Sequence, residues 1–169
     1  MAPASVRRVL LLVSTISIAM LGAEAVATPK SDCEDLLNTV LPMAEKLLAA
    51  HGEFYPFGAS MKPGPEIALT AAYDGRERPP SQPLIDLLHD GFHQEAVEGT
   101  IVASATVYDV RIARPGSTSK TDAVAIELDH RDNYSTVVFF PYAIRAGKVE
   151  FEEPFANKGE FGIFKRDGD

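Results

Sequence analysis

DAVAIELDHRDNYSTVVFFPY, residues 122–142, decides the fold. Val124, Ile126 and Leu128 recur at every second position, the period of a strand with one buried face. Asp132-Asn133 is a turn pair, and Thr136 to Tyr142 beyond it is apolar on both faces. That run predicts a central strand covered on both sides. Strands joined by so short a turn must run antiparallel, because a parallel neighbour needs a crossover of roughly a dozen residues.

The pattern continues in both directions. Downstream, Val149 and Phe151 against Glu150 and Glu152 predict a last strand with one wet face. Upstream, Ile101 to Arg114 reads as a long strand, with a turn at Pro115-Gly116. Its apolar residues switch from odd positions (Ile101, Ala103, Ala105, Val107) to even ones (Tyr108, Val110, Ile112). Such a change of phase predicts a bulge, since a slip of one residue turns every side chain over.

The first half supplies the helices. Leu36, Leu37, Val40, Leu41, Ala44, Leu47 and Leu48 form one apolar stripe at helical spacing. Ser31 followed by Glu34 reads as a capping box, and Gly52 as the C-cap. Pro42 lies on the opposite face and predicts a kink or a restart. Phe54-Tyr55-Pro56-Phe57 predicts a short strand, Lys62-Pro63-Gly64-Pro65 a turn, and the alternation from Ile67 to Tyr73 a second strand. A second helix opens at a Ser81 cap, carries Pro83 in its first turn, buries Leu84, Ile85, Leu88, Phe92 and Ala96, and ends at Gly99. The expected fold is α+β: a mainly antiparallel sheet of about six strands with two helices, in the order α-β-β-α-β-β-β-β.

The 169 residues are 46% hydrophobic and 24% charged, enough for one domain with a continuous core and too apolar for a disordered chain. Sixteen basic residues against 24 acidic ones give a net charge of −8. No basic run follows residue 8, which excludes a nucleic-acid groove built on clustered Lys and Arg.

Arg7 and Arg8 precede an apolar stretch from Val9 to Ala23, and Ala23-Glu24-Ala25 and Ala25-Val26-Ala27 both fit an A-x-A cleavage site. Residues 1–27 therefore read as a secretory signal peptide cleaved after Ala25 or Ala27. The apolar stretch is shorter than the roughly 20 residues a spanning helix needs. Lys30-Ser31-Asp32 ahead of Cys33 is no lipidation box, so no stable membrane anchor is expected after cleavage. The expectation is a periplasmic or secreted protein with one acidic domain over residues 28–164 and a disordered tail over 165–169. Cys33 has no second cysteine to pair with. It is either buried on the first helix or free to bridge between chains.

The segment Gly52-Glu53-Phe54-Tyr55-Pro56-Phe57-Gly58-Ala59, followed by Ala72-Tyr73-Asp74-Gly75, resembles a group of small bacterial proteins of unknown function. These carry a FYPFGA-like segment after an N-terminal helix. The similarity extends through Leu84–Leu88, Thr121–Ala123 and Glu150–Phe155, most of the mature chain. It implies a single domain, leaves the function open, and makes the export signal a departure from the group's many cytoplasmic members.

His89-Asp90-Gly91-Phe92-His93 places His89 and His93 one helical turn apart, the spacing of a metal pair, with Glu127, Asp129 or His130 available in type as a third ligand. The zincin glutamate is missing, however, so two polar residues flanking the apolar stripe is the simpler reading. Ser117-Thr118-Ser119-Lys120 has SxxK spacing but lies in a hairpin turn, without the partner motifs. Asp129-His130-Arg131-Asp132 puts a histidine between carboxylates at a strand end, without a nucleophile elbow. Phosphate-cradling glycine motifs are absent. Phe54, Tyr55, Phe57, Tyr73, Tyr108 and Tyr142 could line a ligand or partner face, or anchor strands to the core. The expected function is an exported, non-enzymatic binding or protein-interaction module without a cofactor, an immunity-type inhibitor being one version. The alternative is a small-molecule or metal-binding periplasmic protein; an unrecognised hydrolase stands behind both.

Overall fold

A computed structural model describes residues 27–165, so the expected leader and tail lie outside the described residues except for Ala27 and Lys165. Helix α1 spans Pro29–His51. It starts earlier than the Ser31–Glu34 reading implies. The Thr28 hydroxyl accepts from the Ser31 N–H at 3.1 Å, and the Ser31 hydroxyl accepts from the Thr28 N–H at 2.8 Å. Pro29 follows at the first helical position, where its missing N–H costs nothing. The C-terminus is as expected: Gly52 is left-handed and its N–H returns to the Leu48 carbonyl. Pro42 neither ends nor restarts the helix. Pro42 and Asn38, whose carbonyl it leaves unbonded, are both exposed, so water can take that acceptor.

Strands β1 (Phe57–Met61) and β2 (Ile67–Ala71) form a hairpin, α2 (Ser81–Val97) crosses over, and β3 (Ala103–Ala113), β4 (Lys120–His130) and β5 (Tyr134–Arg145) follow as a meander. The antiparallel order is β2-β1-β3-β4-β5. Two short strands share the outer edge of β5: β6 (Lys148–Phe151) on its last part and β7 (Phe155–Lys158) on its first. The α+β class and element order are as the sequence predicts, with β7 added. The outer hairpin is closed by Ala146-Gly147, both at positive φ (51° and 74°), as a type I′ turn requires. Alanine is poor in that conformation. Ala146→Asn should therefore stabilise the protein by about 0.5–1 kcal/mol in urea denaturation.

Three local expectations are corrected. The first strand is Phe57–Met61, one segment later than Phe54–Phe57, and every residue of it is buried. Its small residues gave no alternation because both faces are covered: Phe57, Ala59 and Met61 meet α1, and Gly58 meets Phe92 of α2. Second, Ser81 does not cap α2. Pro80 is the N-cap and makes no side-chain bond. Third, β3 has no bulge; its pairing with β4 runs unbroken from Ala103↔His130 to Ala113↔Lys120. The odd residues Ala103, Ala105 and Val107 pack under α1, while the even positions across the sheet hold Ser104 and Thr106 before Tyr108. The apolar phase changes because polar residues occupy the other face at one end, not because the register slips.

One core lies between α1 and the sheet, centred on Leu36, Val40, Ala44, Leu48, Val107 and Ile126. Side chains alternate across a strand, so α2 sits on the opposite face, where Leu88 and Phe92 pack with Ile101 and Ile163. The chain beyond β7, from Gly159 on, forms a strap over the sheet, and Ile163, at 5% exposure, ties it down. On this second face α2 and the strap cover different strands, with a gap between them.

Candidate functional site

The gap is a cavity of about 270 Å³ with a floor from β3, β4 and β5 and walls from His89 and the segment Asn157–Ile163. Strand register builds the floor in rows. Ser104, Asp129 and Ser135 lie side by side across the three strands; Thr106, Glu127 and Val137 form the next row, and Tyr108, Ala125 and Phe139 the one beyond. Asp129 is 6% exposed, while Ser104 and Thr106 are each 2% exposed.

Glu127 is the hub of the second row. Its Oε1 accepts from the Tyr108 hydroxyl at 2.7 Å, and its Oε2 lies 2.9 Å from His89 Nε2. Burial pushes the Glu127 carboxyl up, but the bonds from His89 and Tyr108 outweigh it and hold the group below the usual carboxylate range. The same contact raises His89 above the ordinary histidine value of 6.5, with burial opposing it. The stability His89 contributes is thus complete below its unfolded-state pKa and is lost as pH rises through its higher folded-state value. Glu127→Gln removes the raising contact and leaves the burial. The His89 titration midpoint, followed by NMR between about pH 5 and pH 8, should drop by about one unit or more.

Asp129 anchors the strap. Its Oδ2 accepts from the Ile163 N–H at 2.8 Å, and the Ile163 carbonyl accepts from His93 Nδ1 at 2.8 Å. Two further bonds hold the segment: Phe161 N–H to Ser135 Oγ at 3.2 Å and Gly159 N–H to the Ser135 carbonyl at 3.2 Å. The second oxygen of Asp129, Oδ1, is sealed from solvent and has no hydrogen-bond partner. Burial pushes the carboxyl above its ordinary range. The main-chain N–H groups of Ile163, His130 and Phe164 pull it back, and so does the Ser135 hydroxyl.

His89 and His93 therefore do not converge. His89 reaches the floor and His93 reaches the strap. Among the described residues no group of three or more His, Cys, Asp or Glu is arranged to hold a metal ion. Nor do the aromatics share a face. Phe57 and Tyr142 lie in the α1 core, Tyr142 donating to Asp109 Oδ1 at 3.0 Å. Phe54 packs edge-on against Phe57 at 5.8 Å, whereas Tyr55 and Tyr73 are exposed. Tyr108 alone of the six belongs beside the cavity. Cys33 is buried on the sheet-facing side of α1 at 1% exposure, and burial first, then Asp129, Asp32 and Glu34, push its thiol up to about 12.

The Asp129–Asp132 segment divides between the two faces. His130 is 3% exposed on the α1 side; its Nδ1 accepts from the Asp132 N–H at 3.0 Å, so Nε2 carries the proton toward Asp32 Oδ2 at 3.2 Å. That arrangement satisfies a buried histidine and fastens the start of α1 to the end of β4. In the sequence Glu127 and Asp129 stand out only as metal ligands by type, and nothing marks Asp32 as the His130 partner. Alternation does put Glu127 and Asp129 on one face of β4, and that is the signal available. The chain matches no family model, no curated protein and no solved structure.

Proposed function

We propose that the protein is an exported, non-enzymatic binding module whose ligand occupies the cavity beneath the C-terminal strap. The observation that carries this reading is a cavity large enough for a small molecule, lined by the polar residues Ser104, Thr106, Glu127 and Asp129 of the sheet. Burying polar groups costs free energy unless they find partners, so the gathering of buried Ser104, Thr106 and Asp129 under one cavity fits a site that receives a polar ligand. Intact mass of the protein recovered from its own cell envelope tests both parts. Denaturing spray should give a chain starting at Val26 or Thr28, and a full-length mass would overturn export. Native spray should show added small-molecule mass that Val137→Trp, which fills the cavity, removes. Protein recovered without added mass, and unresponsive to that substitution, would overturn the cavity reading.

One observation favours a second reading, the immunity-type inhibitor or other protein-interaction module. Strand β2 is an edge of the sheet among the described residues, carries no charged side chain, and has Leu69, Tyr73 and Leu87 exposed nearby. A free edge can accept a strand from a partner, and a net charge of −8 steers a basic one. Partner capture would then weaken steeply with salt and be insensitive to Val137→Trp.

A further inference from the structure

We propose that strand β2, the bare edge of the sheet, pairs antiparallel with β2 of a second copy of this chain, joining the two sheets across a two-fold axis at Leu69. The inference is independent of the cavity, and it gives the edge a different occupant from the basic partner considered above.

The two edges of the sheet are built differently. The outer edge of β5 is covered by β7 along Thr136–Phe139 and by β6 along Tyr142–Arg145. Strand β2 has no neighbour beyond β1 among the described residues. Its run Ile67–Ala71 holds no charge, no proline and no bulge, the devices that keep an edge from pairing. The helices leave it clear as well, α1 packing on β1, β3 and β4, and α2 on β1 and β3.

The phase of the hydrogen bonds fixes which groups are offered. The Lys62 N–H donates to the Glu66 carbonyl at 3.0 Å, so these two residues form a bonded pair. Bonded pairs recur at every second residue of an antiparallel ladder, which makes Ser60↔Ala68 and Gly58↔Thr70 the next two. Ile67, Leu69 and Ala71 therefore turn their N–H and C=O groups away from β1. An axis at Leu69 sets Leu69 against Leu69, and Ile67 against Ala71 in both directions, so every one of these groups is bonded. A slip of two residues loses that match. It places Ala71 against Pro65, which has no N–H, or Ile67 against Tyr73 beyond the strand.

Side chains and charge agree. Leu69 pairs with Ala59, which puts it on the α1 side of the sheet, where it is exposed. The axis brings the two Leu69 side chains together there and carries each exposed Tyr73 toward Pro65 of the other copy. Residues 57–80 carry Lys62, Arg76 and Arg78 against Glu66, Asp74 and Glu77, so this segment is neutral in a chain of net charge −8. Lys62 is also paired with Glu66, and Asp74 with Arg76, within one copy. Two acidic copies thus meet here with little local repulsion, and a basic partner finds little to attract it.

Sedimentation velocity of the purified protein between about 1 and 500 µM should show a monomer–dimer equilibrium. Five residues a side make a small interface, so a Kd on the order of 10–100 µM is expected. Salt should tighten the dimer by screening the repulsion between whole copies, whereas it would weaken pairing with a basic partner. Leu69→Lys sets like charges against each other at the axis and should weaken the dimer about tenfold, as should Leu69→Glu. The two variants mixed should associate about tenfold more tightly than either alone, because the two-fold places residue 69 opposite itself. In the unmodified protein, exchange at the Leu69 amide should slow about threefold or more from the dilute to the concentrated end. A protein monomeric throughout that range would overturn the proposal. So would a dimer indifferent to Leu69→Lys, or variants that do not re-associate when mixed. An edge filled only by a different chain recovered with the protein would overturn it in favour of the heterologous partner.

Discussion

Gly58→Ala is expected to lower the unfolding free energy by about 2–3 kcal/mol, read as a fall of roughly 6–12 °C in Tm. A Cβ at Gly58 would stand 2.7 Å from the Ala105 carbonyl oxygen and 2.7 Å from Cζ of Phe92. Neither neighbour can step aside cheaply. The carbonyl is part of β3, paired with β1 at this point, and the Phe92 ring is buried between α2 and the sheet. Phe92→Leu added to Gly58→Ala should recover part of the loss, because it relieves the ring contact and leaves the carbonyl contact, so the two changes will not be additive. Gly91→Ala is the control. It meets no atom within 4 Å on the exposed side of α2 and should stabilise the protein by up to about 1 kcal/mol through helix propensity. Equal stability of Gly58→Ala and the unmodified protein would mean that α2 can move off β1 without cost.

The second large effect is expected at Gly159, where the strap leaves β7. A Cβ there would collide with Ser135 Oγ and come within 2.8 Å of the Thr136 nitrogen and 2.9 Å of the Ser135 carbonyl carbon. The segment can relieve this only by lifting off β5, which breaks the Gly159 and Phe161 bonds to Ser135. Gly159→Ala should therefore cost about 2–3 kcal/mol and lower amide-exchange protection at Phe161 and Ile163 about tenfold or more, with protection at the centre of β4 reduced much less. Uniform loss of protection through β4 and α1 would show instead that the strap folds as one unit with the sheet.

These two glycines also mark where local reading reaches its limit. Gly58 lies inside the distinctive Phe54–Ala59 segment, yet nothing in that segment says that a helix from the other side of the hairpin will touch its backbone. Gly159 follows a strand that sequence periodicity does not predict. Phe155–Lys158 carries one large apolar residue and exposes the rest, so its pairing with β5 comes from main-chain bonding along a shared edge.

Helix stripes, the Gly52 cap, the Asp132-Asn133 turn and the antiparallel meander were legible because each depends on residues a few positions apart. Period, capping and turn chemistry are local, and they suffice to establish an α+β domain and the order of its elements. Where a local signal had two causes, the sequence could not choose. The phase change in β3 looked like a bulge and is a row of buried polar residues on the second face. The aromatic run Phe54–Phe57 looked like the first strand, which lies instead at Phe57–Met61, where small residues are packed on both sides. The candidate site belongs to the same class. His89, Glu127, Asp129 and Ser135 meet only because β3, β4 and β5 pair in one register while α2 and the strap leave a gap above them. Cross-strand register and the path of a terminal segment depend on contacts between residues far apart in the chain. The hydrophobic period specifies which face of each strand is apolar. It does not specify which polar side chains from separate strands will stand in one row.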